Sequence, residues 1–143
     1  MSREFKERIN TGPKVFISYS HSQHDERFVS KLSRDLQEAG LQVWIDSEQI
    51  FLGDDWDKTI KKGIRNSEGT IIVLTPESAR SVWIKKELEE SLKRKKQIFP
   101  LVLEGGEGPL EVLELSSLKT FDAREDYQKA INELVQVIQG SKS

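Results

Sequence analysis

The chain contains no cysteine, which excludes disulfides, thiolate catalysis and cysteine-ligated zinc. No segment approaches the roughly 20 apolar residues that span a membrane, and the polar residues 1–12 lack the apolar core of a secretory signal. A strong charge of either sign is also missing, because the formal net charge is only -2. We therefore expect a cytoplasmic protein that binds neither membranes nor nucleic acid directly.

The length and composition predict one globular domain. A chain of 143 residues suffices for one core, and with 36% hydrophobic and 32% charged residues it is too apolar to be disordered. We assign 1–12 to a flexible lead-in, 13–139 to the domain and 140–143 to a flexible tail.

Short β-rich runs alternate with stretches of helical apolar spacing. The predicted strands are Lys14–Tyr19, Leu41–Ile45, Gly69–Thr75, Ile98–Leu103 and a short Leu118–Phe121. Four helices are predicted. The first is Asp25–Ala39, and the second carries Trp56, Ile60 and Ile64. The third is Trp83–Lys96, with Ile84, Leu88 and Leu92 facing inward, and the last carries Tyr127, Ile131, Leu134 and Ile138.

The segments between these elements are less regular. Gly40 is well placed to end the first helix, whereas Gly63 weakens the second. Asp46–Asp55 and Gly105–Pro109 are predicted loops, and the pattern over 110–117 does not decide between helix and loop. The alternation predicts an α/β fold, a flavodoxin-like three-layer sandwich with a five-stranded parallel sheet in the order 2-1-3-4-5 and helices on both faces.

Ligands of open parallel sheets bind beyond the carboxyl ends of the strands, where the strand order reverses. The segments that follow the first three strands therefore converge on one edge. Their polar and aromatic members are the candidate site residues Tyr19, Ser20, Asp46, Glu48, Trp56, Trp83 and Glu87.

Trp83 and Glu87 are four residues apart and lie on one side of a helix, along the flank of its predicted buried stripe. A carboxylate beside an indole at this boundary is a plausible reactive group. Alternatively, Trp83 covers the core and Glu87 pairs with Lys86 or Lys93 at the surface. Spacing alone favours this second interpretation.

Other signals are weaker. The glycines of Gly105–Gly108 lack the ending of a phosphate loop. His21 and His24 have no carboxylate or cysteine cluster at ligand spacing, so we expect both to be solvent-exposed rather than metal ligands.

Three segments together resemble a TIR (Toll/interleukin-1 receptor) domain of the bacterial type. Val15–Tyr19 resembles the first conserved box, and Val43–Asp46 with the polar loop through Gly53 resembles the second strand and BB loop. Ser81–Leu88, which contains Trp83 and Glu87, resembles the αC motif. The resemblance covers about residues 13–138.

The resemblance implies an enzyme that cleaves NAD+ at the nicotinamide–ribose bond in a defence or signalling system. It implies Glu87 as the catalytic residue and Tyr19, Ser20, Asp46, Trp56 and Trp83 as substrate-binding residues. It also implies self-assembly with other TIR domains through the BB loop, here Glu48, Phe51, Leu52 and Gly53. Ser20 departs from the family, whose active members often carry Arg, His or Ala there.

The implied chemistry suits a chain with few candidate catalytic groups. Ordinary glycosidases need two carboxylates, because the departing sugar oxygen must be protonated. Nicotinamide leaves a ribose as a neutral ring and needs no proton, so one glutamate is sufficient. We expect no cofactor and no metal.

Three other functions remain open. A non-enzymatic TIR–TIR interaction module is favoured by the adjacent apolar residues Phe51 and Leu52 in a polar loop. A phosphoacceptor receiver domain would need an aspartate where the third strand ends in Leu74 and Thr75. A nucleoside deoxyribosyltransferase shares the fold and a catalytic glutamate.

Overall fold

The computed structural model describes residues 12–45, 56–105 and 108–140. The predicted site residues Asp46, Glu48, Phe51, Leu52 and Gly53 lie outside these ranges. Within the described ranges, no helix is both long and apolar enough to cross a bilayer.

The described residues form five strands and five α-helices. The strands are β1 (Lys14–Ser18), β2 (Gln42–Ile45), β3 (Gly69–Leu74), β4 (Gln97–Val102) and β5 (Phe121–Asp122). The helices are α1 (Gln23–Glu38), α2 (Trp56–Arg65), α3 (Val82–Lys93), α4 (Gly108–Val112) and α5 (Tyr127–Gly140), with a 3-10 turn at Ser78–Arg80.

All strand pairs are parallel, and the order is β2-β1-β3-β4-β5. The predicted flavodoxin-like fold is therefore confirmed. The strand order reverses between β1 and β3, and this is where such sheets bind ligands. Every residue of β3 is buried, which explains its continuous apolar run.

Alternate side chains of each strand point to opposite faces of the sheet. One face packs against α1 and α5 in the larger core, which includes Val15, Ile17, Tyr19, Leu32, Leu36, Ile131 and Leu134. The other face carries Phe16 against α2 and Ile72 and Leu74 against α3. Ser18 is on this second face by alternation, and its side chain therefore points towards α3.

Side-chain caps explain where the helices next to the site begin. The Ser22 hydroxyl accepts a hydrogen bond from the backbone N–H of Asp25 at 3.1 Å, so α1 begins two residues earlier than predicted. The Ser81 hydroxyl does the same for Ile84 in α3. Gly40 has a φ of 102°, in the left-handed region that ends a helix, as predicted.

The inward face of α3 differs from the prediction. Leu92 is 55% exposed rather than buried. The buried residues are Ile84, Glu87, Leu88 and Ser91, which have the i, i+3, i+4, i+7 spacing of a helix face. Two of the four are polar, so a search for apolar residues alone places the stripe incorrectly.

The carboxyl-terminal third also differs from expectation in detail. Helix α4 starts at Gly108, within the predicted loop, and includes the first residues of the undecided stretch 110–117. The rest of that stretch forms turns, and Leu113 and Leu115 are buried. Of the predicted fifth strand Leu118–Phe121, only Phe121 pairs with β4, together with Asp122, which follows it. Gly140, which we assigned to the tail, is the last residue of α5.

Gly63 permits a close contact between α2 and the sheet. A Cβ atom there would lie 2.9 Å from two carbons of the Trp44 ring. That ring is itself stacked on Phe16, with the centroids 4.9 Å apart. The glycine that weakens the helix by propensity is therefore required by packing.

We expect Gly63→Ala to destabilise the protein by about 1–3 kcal/mol, since overpacking outweighs the gain in helix propensity. Urea unfolding measures the change. Gly140→Ala is the matched control, because no atom of the described part of the chain lies within 4 Å of its added methyl group, and it should shift stability by less than about 0.5 kcal/mol. Equal or higher stability of Gly63→Ala would show that Trp44 does not lie against this helix.

Candidate functional site

Ser18, the last residue of β1, forms a hydrogen bond with the buried carboxylate of Glu87. The Ser18 hydroxyl donates a hydrogen bond of 2.6 Å to Oε1 of Glu87. Glu87 is 0% exposed, and burial of a carboxylate is costly without such donors. The alternative in which Glu87 forms a surface pair with Lys86 or Lys93 is therefore wrong.

Glu87 is also fixed through its backbone. The Ser91 hydroxyl donates to the Glu87 carbonyl oxygen at 2.8 Å. Ser91 Oγ in turn lies 2.7 Å from Oγ1 of Thr70 on β3. Both hydroxyls are buried. They form a polar contact between α3 and β3 beside the turn of α3 that carries Glu87.

Three aromatic rings stack near the start of α3. The His21 ring lies between those of Tyr19 and Trp83, with centroid distances of 4.5 and 5.2 Å and interplanar angles of 13° and 17°. Tyr19 is buried, whereas Trp83 is 39% exposed. The stack therefore runs from the core to the surface, and it ends on the residue one helical turn before Glu87.

His21 adopts an unusual backbone conformation within this stack. Its φ is 70°, in the left-handed region that residues with a Cβ rarely occupy. Sequence reasoning missed His21 as a site residue because it expected both histidines in solvent. The signal available was its position two residues after the first strand, among the segments of the binding edge.

A second buried carboxylate, Asp25, joins the ends of β1 and β3. Its Oδ2 accepts hydrogen bonds from the Ser20 hydroxyl at 2.5 Å and from Thr75 Oγ1 at 2.6 Å. Asp25 is 0% exposed, and the Ser78 hydroxyl further fixes Thr75 by accepting from its backbone N–H at 2.8 Å. Sequence analysis did not identify Asp25, whose partners are five and 50 residues away.

His24 lies beside Glu104, at the end of β4. Its Nε2 forms a hydrogen bond and ion pair with Oε1 of Glu104. The Glu104 hydrogen bond and charge raise the pKa of His24 above its ordinary value. His24 is exposed, as predicted, and the Glu104 carboxylate beside it comes from a residue 80 positions away.

The structure brings together part of the predicted site. Tyr19 and Trp83 belong to one stack, and Glu87 follows Trp83 on α3. The Ser20 hydroxyl is held by Asp25. Trp56 is the first residue of α2, and its side chain lies outside the described part.

This arrangement has a direct chemical consequence. The Trp83 indole is partly exposed and already stacks with one planar ring, that of His21, and a carboxylate lies one helical turn away. Since Glu87 has no exposed surface, a substrate reaches it only after the side chains that cover it move.

The family whose model matches this chain is described as TIR domain, and the match spans residues 15–135. The NAD(+) hydrolase TcpA from Theionarchaea archaeon (strain DG-70-1) is 34% identical over 91 residues. The 2′ cyclic ADP-D-ribose synthase AbTIR from Acinetobacter baumannii (strain 1295743) is 32% identical over 96 residues. These alignments cover 61% and 64% of this chain, which spans only 27% and 36% of the two relatives.

Solved structures share the fold. The TIR domain of the Toll-related receptor TRR-2 from Hydra magnipapillata has a TM-score of 0.72 at 23% identity, covering 87% of this chain and 96% of that one. A 2-deoxyribosyltransferase from Bacillus psychrosaccharolyticus has a TM-score of 0.62 at 20% identity, covering 83% and 90%. Two differently named proteins thus share this architecture, so the fold alone does not assign an activity.

We expect Thr75→Val to destabilise the protein by about 1.5–3 kcal/mol, because it removes a hydrogen bond to a buried carboxylate and leaves the volume nearly unchanged. Chemical denaturation measures the loss. The same substitution at Thr120, which donates to the Leu118 carbonyl oxygen at 3.3 Å in an exposed position, should cost less than about 0.5 kcal/mol. Equal effects at the two positions would contradict the role given to Asp25.

Proposed function

This chain belongs to the TIR domain family, and from that premise we propose that it cleaves the nicotinamide–ribose bond of NAD+ with Glu87 as its catalytic residue. The observation that carries the proposal is the buried Glu87 carboxylate, held by Ser18 at the carboxyl edge of the sheet, one helical turn from Trp83. Two relatives bear the names of an NAD(+) hydrolase and a 2′ cyclic ADP-D-ribose synthase, and these names support the proposal.

The reaction needs little from the protein beyond position and charge. The nicotinamide of NAD+ is a pyridinium, so it leaves as a neutral ring and takes the bonding electron pair with it. Positive charge then develops on the ribose, and a carboxylate at that point stabilises the transition state. Glu87 supplies this charge by holding the ribose hydroxyls or by approaching the anomeric carbon.

Ser18 orients the carboxylate. Its hydroxyl fixes Oε1, and the Ser91–Thr70 contact fixes the turn of α3 that carries Glu87. A catalytic group whose rotamer is already fixed loses less entropy when the substrate binds. The same contacts keep the carboxylate inside the protein until the substrate arrives.

The aromatic stack supplies a place for the nicotinamide. The His21 ring lies nearly parallel to that of Trp83, at a separation suited to flat rings. A pyridinium attracts an indole face through cation–π interaction. Nicotinamide binds by taking the position of the His21 imidazole or by stacking beside it, with Tyr19 behind.

Three acceptors lead to different products. Water gives ADP-ribose, whereas the adenine or a ribose hydroxyl of the same molecule gives a cyclic isomer. Asp46 and Trp56 remain proposed substrate-binding residues on the basis of the family resemblance, as does Ser20. No cofactor or metal takes part in this proposed reaction.

We expect Glu87→Gln to reduce NAD+ consumption by about 100-fold or more, because the neutral amide stabilises the developing charge poorly. Mass spectrometry of nicotinamide and the ADP-ribose products measures the reaction at matched protein concentration. Glu89→Gln is the matched control, since Glu89 is an exposed glutamate on the same helix, and it should retain the parent rate.

Two outcomes would contradict the assignment. A folded Glu87→Gln protein that turns over NAD+ at the parent rate would exclude Glu87 as the catalytic residue. Release of free base from 2′-deoxynucleosides, with NAD+ left intact, would favour the deoxyribosyltransferase reaction instead.

A second candidate is an interaction module that assembles with other TIR domains. It is favoured by the exposed apolar residues on α3, where Val82 is 65% and Leu92 is 55% exposed. The predicted BB-loop residues Glu48, Phe51, Leu52 and Gly53 are its proposed contact points. The two functions are compatible, because assembly can complete the active site.

If assembly activates catalysis, specific activity should rise with protein concentration, whereas an independent enzyme keeps a constant rate per molecule. NAD+ turnover across a 100-fold concentration range, paired with light scattering, measures this dependence. Phe51→Ser should weaken both assembly and turnover, and Glu26→Gln on the exposed side of α1 is the control. Assembly with no turnover at any concentration would leave the interaction module as the function.

A further inference from the structure

We propose that His24, Asp25 and Glu104 form a binding site for a divalent transition-metal ion at the carboxyl edge of the sheet. The site is separate from the carboxylate of Glu87, and no step of the proposed NAD+ reaction passes through it. The proposal rests on the placement of one imidazole and two carboxylates and on one buried oxygen atom.

The ligand atoms converge from two parts of the backbone. One ring nitrogen of His24 and one carboxylate oxygen each of Asp25 and Glu104 lie within 4.8 Å of one another. His24 and Asp25 are in the first turn of α1, whereas Glu104 follows β4, 80 residues after His24. An ion with bonds of about 2.0–2.2 Å to N and O ligands would lie between the His24 ring and the Glu104 carboxylate and replace their direct hydrogen bond.

Asp25 provides an observation that is independent of this clustering. Its Oδ2 accepts hydrogen bonds from the Ser20 and Thr75 hydroxyls, whereas its Oδ1 is buried and has no hydrogen-bond partner among the residues that the structure describes. A buried carboxylate oxygen without a partner costs free energy, which a bound cation offsets. The side chain is 0% exposed, and its neighbours already hold it in one orientation.

The ligand set indicates the class of ion. Imidazole suits zinc and its first-row neighbours, whereas magnesium and calcium prefer sites made only of oxygen. Three protein ligands leave a fourth position for water or for an anionic ligand. The ion would be tied through Asp25 to Ser20 and Thr75, and so to the ends of β1 and β3.

The chain is well suited to a test with zinc alone. It contains two histidines and no cysteine, so the usual adventitious zinc ligands are few once any affinity tag is removed. Isothermal titration of the untagged chain with zinc chloride should show one ion per molecule. Titration with cobalt(II), followed by its visible absorption, reports independently on nitrogen coordination.

Two variants and a matched control test the assignment. We expect His24→Ala and Glu104→Gln each to weaken zinc binding by at least about tenfold. Both are expected to fold, because these side chains are 57% and 37% exposed. His21→Ala removes the other histidine, three positions away, and should leave the affinity for zinc unchanged.

Three results would overturn the proposal. They are no zinc binding by the parent chain, unchanged binding in both ligand variants, and an equal loss in His21→Ala. The first result would leave His24 and Glu104 as an ordinary surface ion pair. The third would show that the loss of binding is not specific to His24 and Glu104.

Discussion

The burial of Glu87 against the end of β1 is the constraint on which the rest of the site depends. A carboxylate with no exposed surface must be supplied with hydrogen-bond donors, and Ser18 provides one because it ends the strand that faces α3. This requirement fixes which face of α3 turns inward. As a result Trp83, one turn earlier, emerges at the surface beside the strand ends, where the His21 ring covers its face.

The sheet was predictable because parallel strands buried on both faces leave a strong apolar signal. β3 is the clearest case, since all six of its residues are buried. Cap positions were less predictable, because Ser22 and Ser81 are recognised as caps only when the hydroxyl direction is known. The stripe of α3 was misplaced because Glu87 and Ser91 are polar, so a search for apolar periodicity passes over them.

The site itself was predictable only in part. Fold logic predicted that Tyr19, Trp83 and Glu87 lie at one end of the sheet, whereas spacing alone favoured a surface position for Glu87. Neither identified the neighbours that hold these groups, because those neighbours are distant in sequence. Ser18 and Glu87 are 69 residues apart, and Asp25 and Thr75 are 50 apart. Such pairs arise from the topology of the sheet, and no local sequence pattern predicts them.

The contact between Thr70, Ser91 and the Glu87 carbonyl has a mechanical meaning as well. Apolar side chains between a helix and a sheet tolerate small sliding movements, because dispersion contacts lack strong direction. A hydroxyl-to-carbonyl hydrogen bond weakens steeply when the distance or angle changes. These two hydroxyls therefore set the axial register of α3 on the sheet. A shift of that helix by a fraction of a turn would change how deeply the Glu87 carboxylate lies, so any force that moves α3 would also move this group.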